Sequence, residues 1–105
     1  MVFDPMRIIA RNTLVGFWTA HAETKVALER WLKRVKAARW SSTEELQKAA
    51  PKCKALNGGR VRFEVAGGNY GLVAAFDFRR QAVFVKFVGT HAEYDRVDAL
   101  TVSLF

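Results

Sequence analysis

The spacing of apolar residues changes from a helical period to a strand period midway along the 105-residue chain. Between positions 23 and 39 apolar residues recur at intervals of three or four, at Leu28, Trp31, Leu32, Val35 and Ala38. This spacing predicts an amphipathic helix with one buried face. From Arg60 onward apolar and polar residues alternate, as in half-buried strands. The chain is therefore predicted to pack a helical layer against a sheet.

Shorter elements are predicted on either side of the long helix. The apolar run at positions 7–10 is interpreted as a strand, and Asn12 is a suitable N-cap for a helix over about 13–20. The segment at 41–45 contains the Ser-x-x-Glu capping pattern twice, and predicts a third helix that Pro51 should stop.

A last helix is predicted at the end of the sheet segment. Thr90 and Glu93 form another capping-box pair, so this helix should begin at His91 and end near Ala99. Residues 101–105 fit a strand or a tail equally well.

The sheet segment predicts three antiparallel strands, over 60–66, 69–78 and 81–90. A two-residue turn at Gly67-Gly68 places Arg62 opposite Val73 and Glu64 opposite Gly71. A symmetric turn about Arg79-Arg80 places Val73 opposite Lys86 and Asn69 opposite Thr90. Lengthening this second loop symmetrically leaves its pairs unchanged.

This pairing gives the predicted sheet two different faces. One face is apolar and is expected to pack on the helices; it comprises Val61, Phe63, Val65, Tyr70, Leu72, Phe76, Val83, Val85 and Phe87. The other face carries Arg60, Arg62, Glu64, Asn69, Lys86 and Thr90, with His91 and Tyr94 at its edge. Such a set is either the ordinary hydrated side of a sheet or a site for phosphodiester cleavage, which needs cations beside proton-exchanging groups.

Positive charge dominates the chain, with 17 Lys and Arg against 10 Asp and Glu and a net charge of +7. The long helix carries Arg30, Lys33, Arg34 and Lys36 on its outer side. A charged helix face is most often simply solvated, but this excess favours a polyanionic partner. Nucleic acid is the first such partner, although an acidic protein would satisfy the same charge.

Several classes of protein are excluded by what the sequence lacks. One cysteine, Cys53, allows neither an internal disulfide nor a cysteine-based zinc site, and the two histidines have no ligand spacing around them. No metal or cofactor is therefore expected, and no stretch approaches membrane-spanning length. The expectation is a single cytoplasmic domain over 1–105, with 1–5 as an N-terminal extension.

Several segments resemble the HigB-type toxins of bacterial type II toxin–antitoxin systems. They are Arg7-Ile-Ile-Ala, Arg11-Asn-Thr-Leu, Phe17-Trp18, Asn57-Gly-Gly-Arg-Val-Arg-Phe63, Gly67-Gly-Asn-Tyr70 and above all Lys86-Phe-Val-Gly-Thr-His-Ala-Glu-Tyr-Asp95. The resemblance extends from Met6 over nearly the whole chain, and its Thr-His-x-Glu-Tyr-Asp stretch is specific.

The resemblance implies an α+β fold, with helices packed on one face of a small antiparallel sheet, as in RelE-like ribonucleases. It also implies a metal-independent endoribonuclease that cleaves mRNA on the translating ribosome and is neutralised by a HigA-type antitoxin. The positions that match the family's functional surface are Asn69, Lys86, His91 and Tyr94. RNA binding is expected at Arg60 and Arg62, and at the four helix cations Arg30, Lys33, Arg34 and Lys36.

One position departs from the family pattern. Gly71 stands where the family usually has arginine after Gly-x-Asn-Tyr. Either a phosphate-binding arginine is lost, or Arg60 and Arg62 replace it. The alternative function is thus a weakened or inactive member that binds RNA or antitoxin, since losing one charge-stabilising group costs a factor of about 10²–10³ in rate.

Overall fold

The computed structural model describes residues 6–50 and 52–103. Its elements in chain order are β1 (Arg7–Ile9), α1 (Arg11–Ala20), α2 (Lys25–Ala37), α3 (Thr43–Ala49), β2 (Lys54–Ala55), β3 (Arg60–Val65), β4 (Tyr70–Asp77), β5 (Ala82–Thr90) and α4 (His91–Asp95). The strands form one five-stranded sheet in the order β1-β5-β4-β3-β2. No helix in the described ranges is both long enough and apolar enough to cross a membrane.

The α+β fold is confirmed, but the sheet is mixed. Strands β2 to β5 pair antiparallel, whereas β1 pairs parallel with β5, with Ile8 opposite Val83. Local alternation gave no sign of this pairing, because its two strands lie more than 70 positions apart in the chain. The two-residue strand β2 was also missed.

The helices α1, α2 and α3 cover one face of the sheet, as predicted. The buried side of α2 presents Leu28, Trp31 and Val35 to the apolar residues of β3, and the ring of Trp31 meets Phe63 edge-on at 5.5 Å between centroids. Ser42 is the N-cap of helix α3, and its side chain accepts a hydrogen bond from the backbone N–H of Glu45. Helix α1 is capped by Ala10 in the left-handed region, so the prediction that Asn12 is the cap was wrong. Pro51 and residues 1–5, 104 and 105 lie outside the described residues.

The predicted register is correct for the first hairpin and for the turn end of the second, from Ala74 to Asp77, but it is wrong beyond that, where Thr90 pairs with Tyr70 rather than Asn69. Arg62 lies opposite Val73 and Glu64 opposite Gly71, as expected, although the connection spans four residues rather than two. Between β4 and β5 the register shifts between Val73 and Ala74, so Val73 faces Phe87 rather than Lys86. Lys86 is the extra residue of this β-bulge and has no partner on β4.

The bulge changes the face on which Phe87 lies. Val83 and Val85 point into the helical layer, as predicted, but after the bulge Val88 takes the core position and Phe87 lies on the opposite face. That face is not simply hydrated, since Val73 and Phe87 are both buried there. The predicted assignment of Phe87 to the helical core was therefore wrong.

This second face is covered by α4 and the chain that follows it. Helix α4 ends at Asp95 rather than near Ala99. The Asp98 side chain accepts the N–H of Leu100 at 3.0 Å, and its carbonyl accepts two further N–H groups. These local bonds compete with helix continuation. The segment 96–103 is irregular, so its end is not a strand.

Candidate functional site

The start of α4 is fixed by a complete capping box. The Thr90 hydroxyl accepts the N–H of Glu93, and the Glu93 carboxylate accepts the N–H of Thr90 at 2.9 Å. The hydrogen bond from the Thr90 backbone lowers the pKa of Glu93. This pair sets where His91 and Tyr94 leave the end of the sheet.

His91 lies at the first position of α4, beside two groups that orient it. Its backbone N–H donates to the Asn69 carbonyl at 3.0 Å, which ties α4 to the first hairpin loop. Its Nδ1 atom is 3.4 Å from Asp95 Oδ2, one turn along the helix. Half of the His91 side chain is exposed, so the ring is accessible to a ligand. Sequence reasoning missed this contact between His91 and Asp95.

Tyr94 lies over two glycines that face each other across β4 and β5. Gly71 pairs with Gly89, and both lie on the α4 side of the sheet. The Tyr94 ring passes 3.4 Å from the position of a β-carbon on Gly71. A β-carbon on Gly89 would come within 2.7 Å of the Phe87 ring, so no other residue fits there without movement. The glycine pair thus makes room for the Tyr94 and Phe87 rings, whose centroids are 6.0 Å apart.

Arg62 packs against the ring of Tyr94. Its Cζ atom lies 4.5 Å from the centre of the Tyr94 ring, a cation–π contact. One of its terminal nitrogens, NH2, is 3.8 Å from Glu64 Oε1, and its side chain is 22% exposed. Its Nε atom is buried without a hydrogen-bond partner among the residues that the structure describes. Tyr94 and Glu64 therefore hold the Arg62 guanidinium in place, while its Nε–H remains without a hydrogen-bond acceptor in the part of the chain that the structure describes.

The structure brings together only some of the predicted site residues. Asn69, His91, Tyr94 and Arg62 are neighbours. Lys86 lies in the bulge, and its Nζ is 5.5 Å from the Phe84 ring, toward the start of β5 rather than toward α4.

The other predicted RNA-binding residues lie elsewhere. The Nη1 atom of Arg60 donates hydrogen bonds to the carbonyls of Ala99 and Val102, at 3.1 and 2.6 Å. This guanidinium therefore holds the segment after α4 in place. The four cations of α2 lie on a helix that packs against the opposite face of the sheet. They are Arg30, Lys33, Arg34 and Lys36.

An aromatic cluster borders the site from the helical side. His21 stacks on Phe17 with 4.4 Å between ring centroids, and Tyr70 meets both rings edge-on. The Tyr70 hydroxyl donates to Glu23 at 2.8 Å, and this bond raises the pKa of Tyr70. Tyr70 pairs with Thr90, so the cluster lies under the start of α4. Sequence reasoning missed it, because its members lie on separate elements.

The charge around α4 is mixed rather than strongly positive. Arg62 is accompanied by Glu64, and His91 by Asp95. Within the described residues no group of three or more His, Cys, Asp or Glu side chains is placed to hold a metal ion. Partial burial raises the pKa of the Cys53 thiol, although Lys52 and Lys54 flank it in the sequence.

The family of the chain follows from comparison with known proteins. A family model described as HigB_toxin, the RelE-like toxic component of a toxin–antitoxin system, matches residues 24–97. No curated protein matches the chain. Because the matched segment covers well over half of the chain and includes α2, β2 to β5 and α4, the chain belongs to the HigB toxin family. Membership implies an antitoxin partner.

Proposed function

We propose that the protein is an endoribonuclease toxin that cleaves mRNA on the translating ribosome and is neutralised by a HigA-type antitoxin. The observation that carries the proposal is the placement of the Arg62 guanidinium against Tyr94, one helical turn from the exposed ring of His91. A fixed cation beside a proton-exchanging group is what cleavage of a phosphodiester requires.

The proposed reaction is metal-independent and uses the RNA's own 2′-hydroxyl. The 2′-oxygen forms a bond to the adjacent phosphorus, and the bond from phosphorus to the 5′-oxygen breaks. The proton of the 2′-hydroxyl passes to a base and the 5′-oxygen gains a proton. The products are a 2′,3′-cyclic phosphate, or the 3′-phosphate formed from it by water, and a 5′-hydroxyl.

His91 and Tyr94 are proposed as the groups that exchange these protons. Histidine is suited to this near neutral pH. Because Asp95 lies at Nδ1, the Nε2 atom remains for the substrate. Tyr94 also holds Arg62 by its ring face. Asn69 positions α4 through its carbonyl, and its amide side chain is proposed to contact the RNA.

Arg62 and Lys86 are proposed to neutralise the scissile phosphate and its neighbour. Within the described ranges, the Arg62 Nε has no hydrogen-bond partner and the ion pair of this residue with Glu64 is long, at 3.8 Å, so a phosphate oxygen can replace the carboxylate as its partner. The Lys86 amine lies over the Phe84 ring, and its flexible stem would have to turn toward α4 to reach the phosphate. Arg60 is not part of this proposal, since its NH1 already binds two carbonyls.

The test is inducible expression in bacteria with mapping of mRNA 5′ ends. Wild-type protein should arrest growth and cut messages within translated regions, and co-expressed antitoxin should restore growth. His91→Ala should abolish cleavage, whereas Arg96→Ala, an exposed change just after α4, should not. Equal cleavage by the His91→Ala protein would refute the proposed site. Purified toxin that cuts free RNA as fast as ribosome-bound mRNA would refute the ribosome dependence.

A second candidate is a family member that binds RNA or antitoxin without cleaving. It is favoured by Gly71, which leaves Arg62 as the guanidinium beside Tyr94, and by the pairing of Arg62 with Glu64. Such a protein would bind ribosomes or antitoxin, arrest no growth and leave mRNA 5′ ends unchanged. The same expression experiment therefore separates the two functions.

A further inference from the structure

A groove of about 490 Å³ lies between β1 and α2, away from the proposed catalytic site. Its apolar lining comes from Met6, Ile8 and Leu32. None of its lining residues belongs to β3, β4, β5 or α4. The groove is therefore a separate surface from the one that carries Arg62, His91 and Tyr94.

Four cations surround this apolar floor. Arg7 and Arg11 line it from β1 and the start of α1, and Lys33 and Lys36 line it from α2. Of the described residues that line the groove, Glu29 is the one with a carboxylate. Over residues 6–50 and 52–103, no ion pair neutralises any of these four cations. An occupant that brings carboxylates would supply the missing charge.

The lining favours a protein segment over RNA. Among the described residues, no aromatic side chain lines the groove, so these residues offer nucleobases nothing to stack on. An apolar floor rewards aliphatic side chains, which a protein segment carries and a nucleotide chain lacks. A second copy of this +7 chain would bring like charge to the same place.

The position of the groove also suits a peptide. Strand β1 is the last strand in the sheet order, so one of its sides is not paired within the described sheet. Ile9 on this strand is 40% exposed. Unpaired strand edges with apolar side chains are common sites for protein partners.

We propose that the groove between β1 and α2 binds an acidic, aliphatic segment of the antitoxin. The segment seats aliphatic side chains on Met6, Ile8 and Leu32, and its carboxylates face the surrounding lysines and arginines. This inference rests on the proposed function for the identity of the partner. It leaves the α4 site uncovered, so the antitoxin would act there indirectly or through another of its parts.

The experiment compares two charge reversals on the same helix. Lys33→Glu/Lys36→Glu alters the groove, and Arg30→Glu/Arg34→Glu makes the same net change outside it. Binding of purified cognate antitoxin to each folded toxin is measured by calorimetry at low and moderate salt. The groove pair should lose affinity about tenfold or more, the control pair less than about threefold. Circular dichroism checks folding, and Lys33→Gln/Lys36→Gln is the milder replacement if the reversal unfolds the chain.

Each other outcome overturns the inference. Equal affinity loss in the two pairs means that only overall charge matters. If the groove pair instead loses more cleavage activity than the control pair and keeps its antitoxin affinity, the groove serves RNA. If Lys33→Glu/Lys36→Glu abolishes self-association of the free toxin without weakening antitoxin binding, the groove binds a second copy of the toxin. Failure of the wild-type protein to cleave RNA would refute the proposed function alone, since antitoxin binding is measured separately.

Discussion

The ring of Tyr94 rests on Gly71, with Cδ2 3.4 Å from the place of a β-carbon on that residue. A β-carbon fits at this distance, but a longer side chain must pass the tyrosine. The space in front of Gly71 is therefore occupied by the tyrosine of α4, which in turn holds Arg62.

Substitution of Gly71 tests that relationship. Gly71→Ala should fold normally, because its added atom makes ordinary contact with Tyr94. Gly71→Arg should lower the free energy of unfolding by about 1–3 kcal/mol, since Tyr94 must move. It should nevertheless raise cleavage per folded molecule, because the new guanidinium lies opposite Glu64 on the face of Arg62.

The measurements for these Gly71 variants are thermal unfolding and mRNA cleavage by purified protein. In the Gly71→Arg background, His91→Ala should remove most of the gain. A fall in cleavage with Gly71→Arg would mean that the observed place of Tyr94, rather than an extra cation, is what the site requires.

Because of the bulge in β5, substitutions at two adjacent residues should have similar effects on stability but different effects on cleavage. Phe87 supports Tyr94 on the α4 side, whereas Val88 is buried on the helical side. Phe87→Leu and Val88→Ala should each lower the free energy of unfolding by about 1–3 kcal/mol. Only Phe87→Leu should reduce cleavage per folded molecule. The reverse pattern would contradict the register of β5.

Glu93 predicts an acid-dependent part of the stability. The hydrogen bond from Thr90 lowers its pKa in the folded chain, so the ionised form stabilises the fold above the ordinary glutamate pKa of about 4.3. That stabilisation should be lost as the pH falls through the lowered folded-state pKa. Urea unfolding at several pH values should show a smaller acid loss in Glu93→Gln than in wild type. If Glu93→Gln lost as much unfolding free energy at low pH as wild type, the Glu93 carboxylate would not be the group that stabilises the fold through this cap.

The α2 cations predict an effect that depends on RNA length. Arg30 and Arg34 lie on the helical layer, behind the sheet from Arg62, so a short RNA bound at the α4 site should not reach them. Arg30→Gln/Arg34→Gln should flatten the salt dependence of binding for a long RNA, by up to about 0.7 in slope per lost contact. A tetranucleotide should show no change. An unaltered slope with long RNA would place the RNA path elsewhere.

Local patterns predicted most elements of the fold because their signals are local. The spacing of Leu28, Trp31 and Val35 located α2, and the pair Thr90 and Glu93 located the start of α4. The pairing of Arg62 with Val73 survived a longer loop, since symmetric lengthening preserves the partners. The parallel pairing of β1 depends on contacts remote in sequence, and no local period encodes it.

The site was predicted less well, for reasons visible at two places, the bulge in β5 and Arg60. Phe87 and Val88 are both apolar, so either one satisfies the alternation and the bulge leaves no trace in the pattern. Arg60 looked like a free cation on a polar face, but the carbonyls that bind it belong to a segment without periodicity. The contact between His91 and Asp95 was also missed, but the sequence did contain a signal for it, since the two residues are four apart at a predicted helix start.

Strand β5 contains nine residues where β4 has eight. The surplus residue is Lys86, and every other pair along the two strands is formed without it. Deleting Lys86 would therefore restore an uninterrupted ladder and leave Phe87 and Val88 on their present sides, whereas deleting Phe87 would place Lys86 opposite Val73 and remove the ring that packs on Tyr94, with Val88 still on the core side. What Lys86 contributes is the bend of the strand and the amine it carries, rather than closure of the sheet.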